Sequence, residues 1–219
     1  MRIIFLGPPG AGKGTYASRL SPILKIPHIS TGDMFRAEAA SGSELGKKLH
    51  DIMTSGALVP DELTVEILKE RIQKDDCKEG FILDGFPRTI KQAEMLDQAT
   101  SIDVVLNVKL DQEILIKKMT ARRVCKDCGN IYNIADIRIG DLHMPPLLPE
   151  KEGVCDKCGG NLIHRKDDTK EVIEDRLKEY EKKTAPLIDY YTKKGLLKDV
   201  VVAGGPDMMI PRILEMIGK

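Results

Sequence analysis

Tryptophan is absent from this 219-residue chain, and four phenylalanines and five tyrosines supply all its large rings. Proteins that bind single-stranded nucleic acid stack bases on aromatic side chains set among basic ones, and that interleaving is missing here. Net charge is missing too. Thirty-four Lys and Arg balance thirty-four Asp and Glu, so no overall field draws the chain to nucleic acid or to an anionic membrane. No apolar run approaches the roughly 20 residues of a spanning helix, and no charged region with a cleavage site precedes the first strand. These absences lead us to expect a soluble, cytoplasmic protein with neither nucleic-acid nor membrane partners. With no exposed apolar stripe in the pattern, a monomer is the default. Five cysteines in a reducing compartment are poor disulfide candidates. The length allows one substantial core with small insertions, not two full domains.

What is present begins at the N-terminus. Ile3-Ile4-Phe5-Leu6 is the kind of short apolar run that a buried parallel strand uses. It leads into Gly7-Pro8-Pro9-Gly10-Ala11-Gly12-Lys13-Gly14-Thr15, the spacing of a phosphate-binding loop. Backbone N–H groups of such a loop point into a concavity one phosphate wide. The helix that follows adds its N-terminal partial charge, and Lys13 reaches the outer phosphates. One position departs from the pattern: the Ser/Thr expected after the lysine is Gly14, with Thr15 one place later. The hydroxyl that helps hold Mg²⁺ is thereby displaced.

Further strands are predicted near His28-Ile29 and over 81–83, 104–108 and 199–202. Pro22 should end or kink the first helix, and Thr31 should cap the second. Other helices are expected over 44–55, closed by Gly56, then from Pro60 through Leu68, over 91–96, from Asp111 to 121, and over 210–217. A long helix over 171–194 should turn Val172, Leu177 and Tyr180 inward. The two short helices after residue 30 suggest an insertion. His28 reads as a strand residue beside the core and Cys77 as a free thiol in a polar turn. Asp84 and Arg88 follow the third strand, where doubly wound sheets bind ligands, and an acid there can hold the waters of a bound Mg²⁺.

Cys125-x-x-Cys128-Gly129 is answered by Cys155-x-x-Cys158-Gly159, across a stretch that holds Pro145, Pro146 and Pro149. The doubled spacing points to a closed, structural tetrahedral thiolate site, for Zn²⁺ by default, with iron or cobalt open. A redox pair is the rival reading, but it suits a βαβ edge better than a loop-rich insert.

The phosphate loop, Ser30-Thr31-Gly32-Asp33, Leu58-Val59-Pro60-Asp61-Glu62, Asp84-Gly85-Phe86-Pro87-Arg88 and Arg165-x-Asp167-Asp168 occur in one order. Together they resemble the adenylate kinase family in its long-lid, metal-binding form, over almost the whole chain. The resemblance implies an α/β fold with a three-layer P-loop core and a five-stranded parallel sheet. The core would comprise 1–29, 60–121 and 169–219, with a helical monophosphate-binding insert at 30–59 and a metal-bound lid at 122–168. It implies reversible, Mg²⁺-dependent phosphoryl transfer from ATP to AMP, giving two ADP. By the same resemblance, ATP would meet Gly10, Ala11, Gly12, Lys13, Gly14, Thr15, Arg122, Ile131, Tyr132 and Pro206. AMP would meet Thr31, Arg36, Ala57, Leu58, Val59, Gly85, Phe86, Pro87, Arg88, Gln92, Arg165 and Arg176, with the Gln92 amide reading an adenine edge. Lys13, Arg36, Arg88, Arg122, Arg165 and Arg176 would supply the catalytic charge, and Asp84 and Asp33 would hold Mg²⁺ through water.

Three places depart from the family pattern: Lys118, where arginine is common, Asn133, where histidine is frequent, and Ala203-Gly204-Gly205 in place of Asp-Gly-Thr. They leave the donor open between ATP and GTP. The linker between the cysteine pairs is longer than the resemblance implies, and its excursion over 134–151 is left without a role. A UMP or GMP kinase on the same core is one rival, against which Gln92 favours AMP. A nucleotide-regulated zinc ribbon binding nucleic acid through Arg122 and Arg123 is another, disfavoured by the neutral charge.

Overall fold

The computed structural model describes residues 1–54, 58–140 and 142–219. The chain opens with β1 (Arg2–Leu6), α1 (Lys13–Leu24), β2 (His28–Ser30), α2 (Thr31–Ala40), α3 (Glu44–Thr54) and α4 (Asp61–Ile72). A 3₁₀ turn (Asp75–Cys77) leads to β3 (Phe81–Asp84), α5 (Ile90–Ala99), β4 (Val104–Lys109) and α6 (Gln112–Thr120). Five short strands follow: β5 (Arg122–Cys125), β6 (Ile131–Asn133), β7 (Ile137–Ile139), β8 (Leu142–Met144) and β9 (Leu162–Ile163). The chain closes with α7 (Lys170–Glu179), a π-helical turn (Tyr180–Thr184), α8 (Pro186–Lys193), β10 (Leu197–Val201) and α9 (Pro206–Met216).

The main sheet has the order β10-β4-β1-β3-β2, parallel throughout. Its alternation shows why both faces are covered. Ile3 and Phe5 join one apolar cluster with α1, α6, α7 and α9, while Ile4 and Leu6 join another with α4, α5 and α8. Strands buried on both faces require this three-layer arrangement. β1 lies centrally, so the loop after it opens at the C-terminal edge between its neighbours β3 and β4.

Several boundaries differ from the sequence expectation. α1 passes through Pro22 and ends at Lys25, where φ is +56°. Pro22 deprives only the Ser18 carbonyl, and Ser18 is exposed to solvent. The N-cap of α2 is Ser30, whose hydroxyl accepts from the Asp33 N–H, while Thr31 is the first helical residue. The expected end of α3 at 55–56 lies outside the described residues. The helix expected over 171–194 is two helices. Pro186 has no N–H to continue the α ladder, and the preceding turn widens so that the Ala185 N–H reaches the Tyr180 carbonyl. In α7 the buried residues are Ile173 and Leu177, and Val172, like Tyr180 just after it, is only half-buried. The last helix starts at Pro206, ahead of the expected 210. Cys77 is the free thiol expected at this turn, and it is buried, with the Arg71 guanidinium donating to its sulfur at 3.0 Å.

Two segments carry small clusters of their own. Phe35, Leu49 and Val59 pack together at α2, α3 and the start of α4, and Cys125, Tyr132 and Cys155 pack together among β5, β6 and the second cysteine turn. The β7–β8 hairpin belongs to neither, because Ile137 and Met144 are buried in the main core. Among the described residues, no helix is long and apolar enough to cross a membrane.

Candidate active site

A cleft of about 310 Å³ opens over the phosphate loop and is walled on the far side by β5, β6 and the first cysteine turn. Gly10, Gly12, Lys13, Gly14 and Thr15 line it, whereas Ala11 is turned into the core. The Lys13 ammonium donates to the carbonyls of Gly7 (2.7 Å) and Pro8 (2.8 Å), which holds it over its own loop. Position 14 has a steric reason to be glycine. A methyl group there would lie 2.9 Å from Asp84 Oδ2, so the hydroxyl usual at this place has given way to the carboxylate of β3.

Lys13, Arg36, Arg88, Arg122, Arg165 and Arg176 all line this cleft, together with Lys118 and Lys157. Two of them are set by acids at the end of the lid-side segment. Arg122 donates through Nε to Asp168 Oδ2 at 2.9 Å and through Nη2 to the other oxygen of that buried carboxylate, and Arg176 donates to Asp167 at 2.9 Å. Arg88 donates through Nε to the Gly85 carbonyl at 2.7 Å. Burial, then the charges of Arg88, Arg176 and Arg122, bring the Lys13 ammonium down to about 8 against the pull of Asp84. Burial also brings Arg165 and Arg176 to about 10, with neighbouring arginines adding to it. Like charges held this densely favour polyanions between them.

Asp84 is the acid that remains available. Burial raises its pKa, but His28, Lys13 and Arg88 more than offset this and keep it below the usual carboxylate range. Its Oδ2 lies 3.6 Å from His28 Nε2, so His28 lines the cleft and is more than a strand residue. A hard carboxylate oxygen beside the phosphate loop, with the Thr15 hydroxyl on the same cleft, is a fit donor set for hydrated Mg²⁺. Asp33 differs, being paired with Arg36 and lying 3.8 Å from Arg165.

A second, smaller cavity lies between α2, the start of α4 and the turn after β3. Thr31, Arg36, Leu58, Val59, Arg88 and Gln92 face it. Thr31 donates to the Gly85 carbonyl at 2.9 Å. Gln92 is already engaged, its Oε1 accepting from the Arg88 N–H and its Nε2 donating to Asp61, each at 2.7 Å. Gly85 borders both cavities and Pro87 a third one beneath the loop, but Phe86 is buried in the core and faces none of them. Ala57 lies outside the described residues.

At the other end of the main cleft, Ile131, Tyr132 and Pro206 line the wall together with Ile137, Met144 and Pro145 of the excursion. The excursion is therefore no loose loop. His143 bridges to Gly204, and a methyl group on Gly205 would meet the Pro145 ring at 3.5 Å, so the hairpin bears on the loop after β10. Lys118 faces this end, and burial brings its ammonium down to about 8. Asn133 donates to the Lys118 carbonyl at 2.7 Å and accepts from the Ala135 N–H at 3.0 Å, which fixes the order of its amide at the cleft wall. Tyr132 turns its hydroxyl to the sulfurs, 3.6 Å from Cys155 Sγ, and accepts from the Asp156 N–H at 2.8 Å.

Cys125, Cys128, Cys155 and Cys158 place their sulfurs within 4.8 Å of one another. Tetrahedral Zn–S bonds of about 2.3 Å set sulfurs about 3.8 Å apart, and the closest pairs here stand at 3.4 and 3.6 Å. The two turns are copies. Gly129 and Gly159 both have positive φ, and each N–H returns to the carbonyl of the first cysteine in its pair, at 3.1 and 2.8 Å. Burial works against the Cys155 thiolate, but Tyr132 and the N–H groups of Cys158 and Lys157 bring its pKa down to about 6. Cys128 rises to about 12, from burial first. Four thiols this close cannot all ionise unless a cation joins them.

Comparison with known proteins agrees with this geometry. The family model described as adenylate kinase matches residues 5–196. The adenylate kinase of Thermosipho africanus is 48% identical over an alignment of 224 positions that covers the whole of both chains. Those of Treponema denticola and Archaeoglobus fulgidus are each 50% identical, the first over 91% of both chains and the second over 91% of this chain and 90% of its own. On the match to its family model and on relatives this similar from end to end, the chain belongs to the adenylate kinase family.

Proposed function

We propose that the residues of the cleft share out the family's reaction, reversible transfer of the γ-phosphoryl of ATP to AMP to give two ADP, as follows. The phosphate loop, Lys13 and Arg122 hold the ATP phosphates, Arg36 and Arg88 hold the AMP phosphate, and Arg165 and Arg176 face the phosphoryl in transit. An AMP phosphate oxygen is already ionised, so no general base is required, and catalysis rests on in-line positioning and charge. Mg²⁺, when bound with ATP, neutralises phosphate charge, and Asp84 is the residue to hold it through water. Asp33 instead orients Arg36. The observation that carries this reading is the convergence of Lys13 and five arginines, from separate parts of the chain, on one cleft beside a phosphate loop.

Residues 1–29, 60–121 and 169–219 form the core in this reading, 30–59 the acceptor insert and 122–168 the lid. The four thiolates hold Zn²⁺ as a structural ion, since four protein ligands leave no open position. Water would otherwise accept the phosphoryl, so the lid must exclude it, and its metal-bound end swings as one body about segments near Ala121 and Asp168. Reopening and product release then limit turnover. A chemical step slower than opening in stopped-flow records is the result that contradicts this.

The testing experiment is a coupled assay of ADP formation from AMP, with ATP and then GTP as donor, alongside UMP and GMP as acceptors. Rapid Mg²⁺-dependent turnover with AMP supports the reading. No transfer to any monophosphate refutes it. Comparable rates with GTP would show relaxed donor choice.

A further inference from the structure

Gln92 is 1% exposed and lines the smaller cavity, whose other end is made by Arg36 and Arg88. A nucleoside monophosphate with its phosphate on those arginines sets its base among Phe35, Leu58, Val59 and the Gln92 carboxamide. A carboxamide can present its oxygen and nitrogen in either order. In one order it pairs with adenine, which offers an N6 donor beside an N1 acceptor. Flipped, it pairs with hypoxanthine or guanine, which offer an O6 acceptor beside an N1 donor. A freely rotating glutamine therefore discriminates poorly between them.

Here the amide is not free. Its Oε1 accepts from the Arg88 backbone N–H, which can only donate, and its Nε2 donates to Asp61 Oδ1, which as a carboxylate can only accept, both at 2.7 Å. Flipping it would set N–H against N–H at Arg88 and oxygen against oxygen at Asp61. Each partner is itself fixed. The Thr184 hydroxyl, delivered by the π-helical turn, donates to the Arg88 carbonyl at 2.8 Å, and the Thr89 hydroxyl donates to Asp61 Oδ2 at 3.1 Å. One N–H and one lone pair of the amide remain for a ligand, in a set order.

We infer that Asp61 is a specificity-determining positioning residue, which makes the acceptor site an adenine reader by locking the orientation of the Gln92 amide. It touches no substrate and acts through Gln92. The inference rests on the acceptor assignment proposed above and extends it from a phosphate site to the selection of a base edge.

The test compares kcat/KM for AMP and for inosine monophosphate, which differs from AMP in having the reversed donor–acceptor edge. In Asp61→Ala the AMP-over-IMP ratio falls about tenfold or more, the scale of one hydrogen bond to a charged group. Asp61→Asn retains the ratio, because its carbonyl still accepts from Nε2. A merely structural role lowers both substrates alike, and an unchanged ratio in Asp61→Ala overturns the inference. Proton exchange in the unliganded wild-type protein gives a second reading that needs no variant to fold. One Gln92 carboxamide proton is protected if the lock exists, and neither is if it does not. Wild-type protein that makes ADP from AMP but shows no such protection defeats this inference alone. Failure to use AMP at all defeats the functional reading with it.

Discussion

The segment 30–59 packs Phe35, Leu49 and Val59 into an apolar cluster of its own, whereas the segment 122–168 gathers Cys125, Cys155 and Tyr132 around sulfur. Both are too small to bury a full core, and each carries arginine to the cleft. The helical segment draws about 1.5–3 kcal/mol from each buried side chain, and such a cluster yields by degrees as helices slide. If the sulfur cluster holds the single ion proposed for it, it stands as a unit or is lost as one. The first suits a part that adjusts around a ligand, and the second a part that swings rigidly.

The largest way to break the comparison is to remove the charge that each segment delivers. Arg122→Ala on the lid side should cost about 10³ to 10⁵ in kcat, the scale of an arginine finger, read by steady-state assay. Arg36→Ala on the acceptor side should fall more on KM for AMP than on kcat. Stripping the metal with a chelator and a thiol reagent comes next. Structural zinc contributes about 10–16 kcal/mol in isolated finger peptides, and loss of even part of this should lower Tm by about 10 °C or more, with activity persisting at low temperature. An unchanged calorimetric trace after metal loss would erase the distinction between the two segments.

Leu49→Ala tests the apolar side. Leu49 is fully buried, and truncation of such a residue costs about 2–5 kcal/mol, concentrated in the helical segment. KM for AMP should rise several-fold while KM for ATP holds, and an equal rise in both would show that the two segments do not work separately. The last test concerns pH, where the effect is small near neutrality. Unliganded Lys13 and Lys118 are each brought down to about 8, and polyphosphate binds the ammonium form. Below that pH the charge is in place, and above it binding must take up protons, so ATP affinity falls as pH rises beyond about 8, by up to about tenfold per unit for each proton bound. Calorimetry in buffers of different ionisation enthalpy reads that uptake directly, and proton release in its place would contradict the sign.

Much of the core and the phosphate loop could be read from the chain. Ile3 to Leu6 announced a buried strand because parallel strands use uninterrupted apolar runs, and the cysteine pairs announced a cluster because their spacing has few other uses. The rest depended on partners distant in sequence. Nothing near His28 marks it as a neighbour of Asp84, because the two meet only through the β2–β3 pairing. Asp167 and Asp168 stood within a recognised motif, yet their roles as holders of Arg176 and Arg122 depend on bonds that reach to α7 and to the start of β5, the second of them 46 residues away. The hydroxyl of Tyr132 looks like a base contact by type and turns to the sulfur cluster instead. A usable signal was passed over at the excursion. Ile137, Ile139, Leu142 and Met144 alternate around Gly140, the pattern of a β-hairpin.

That hairpin has a kinetic consequence. It is threaded between the two cysteine turns, yet its Ile137 and Met144 pack with the core beside the end of the cleft proposed to take the donor. In the closure proposed above, a wall of the pocket is thus carried by the part that swings away. Residence time and affinity for the donor are then tied together, because every contact added to the hairpin tightens grip and delays departure in the same measure. An enlarged hairpin would favour scarce donors at low flux, and a trimmed one would favour haste where donors abound.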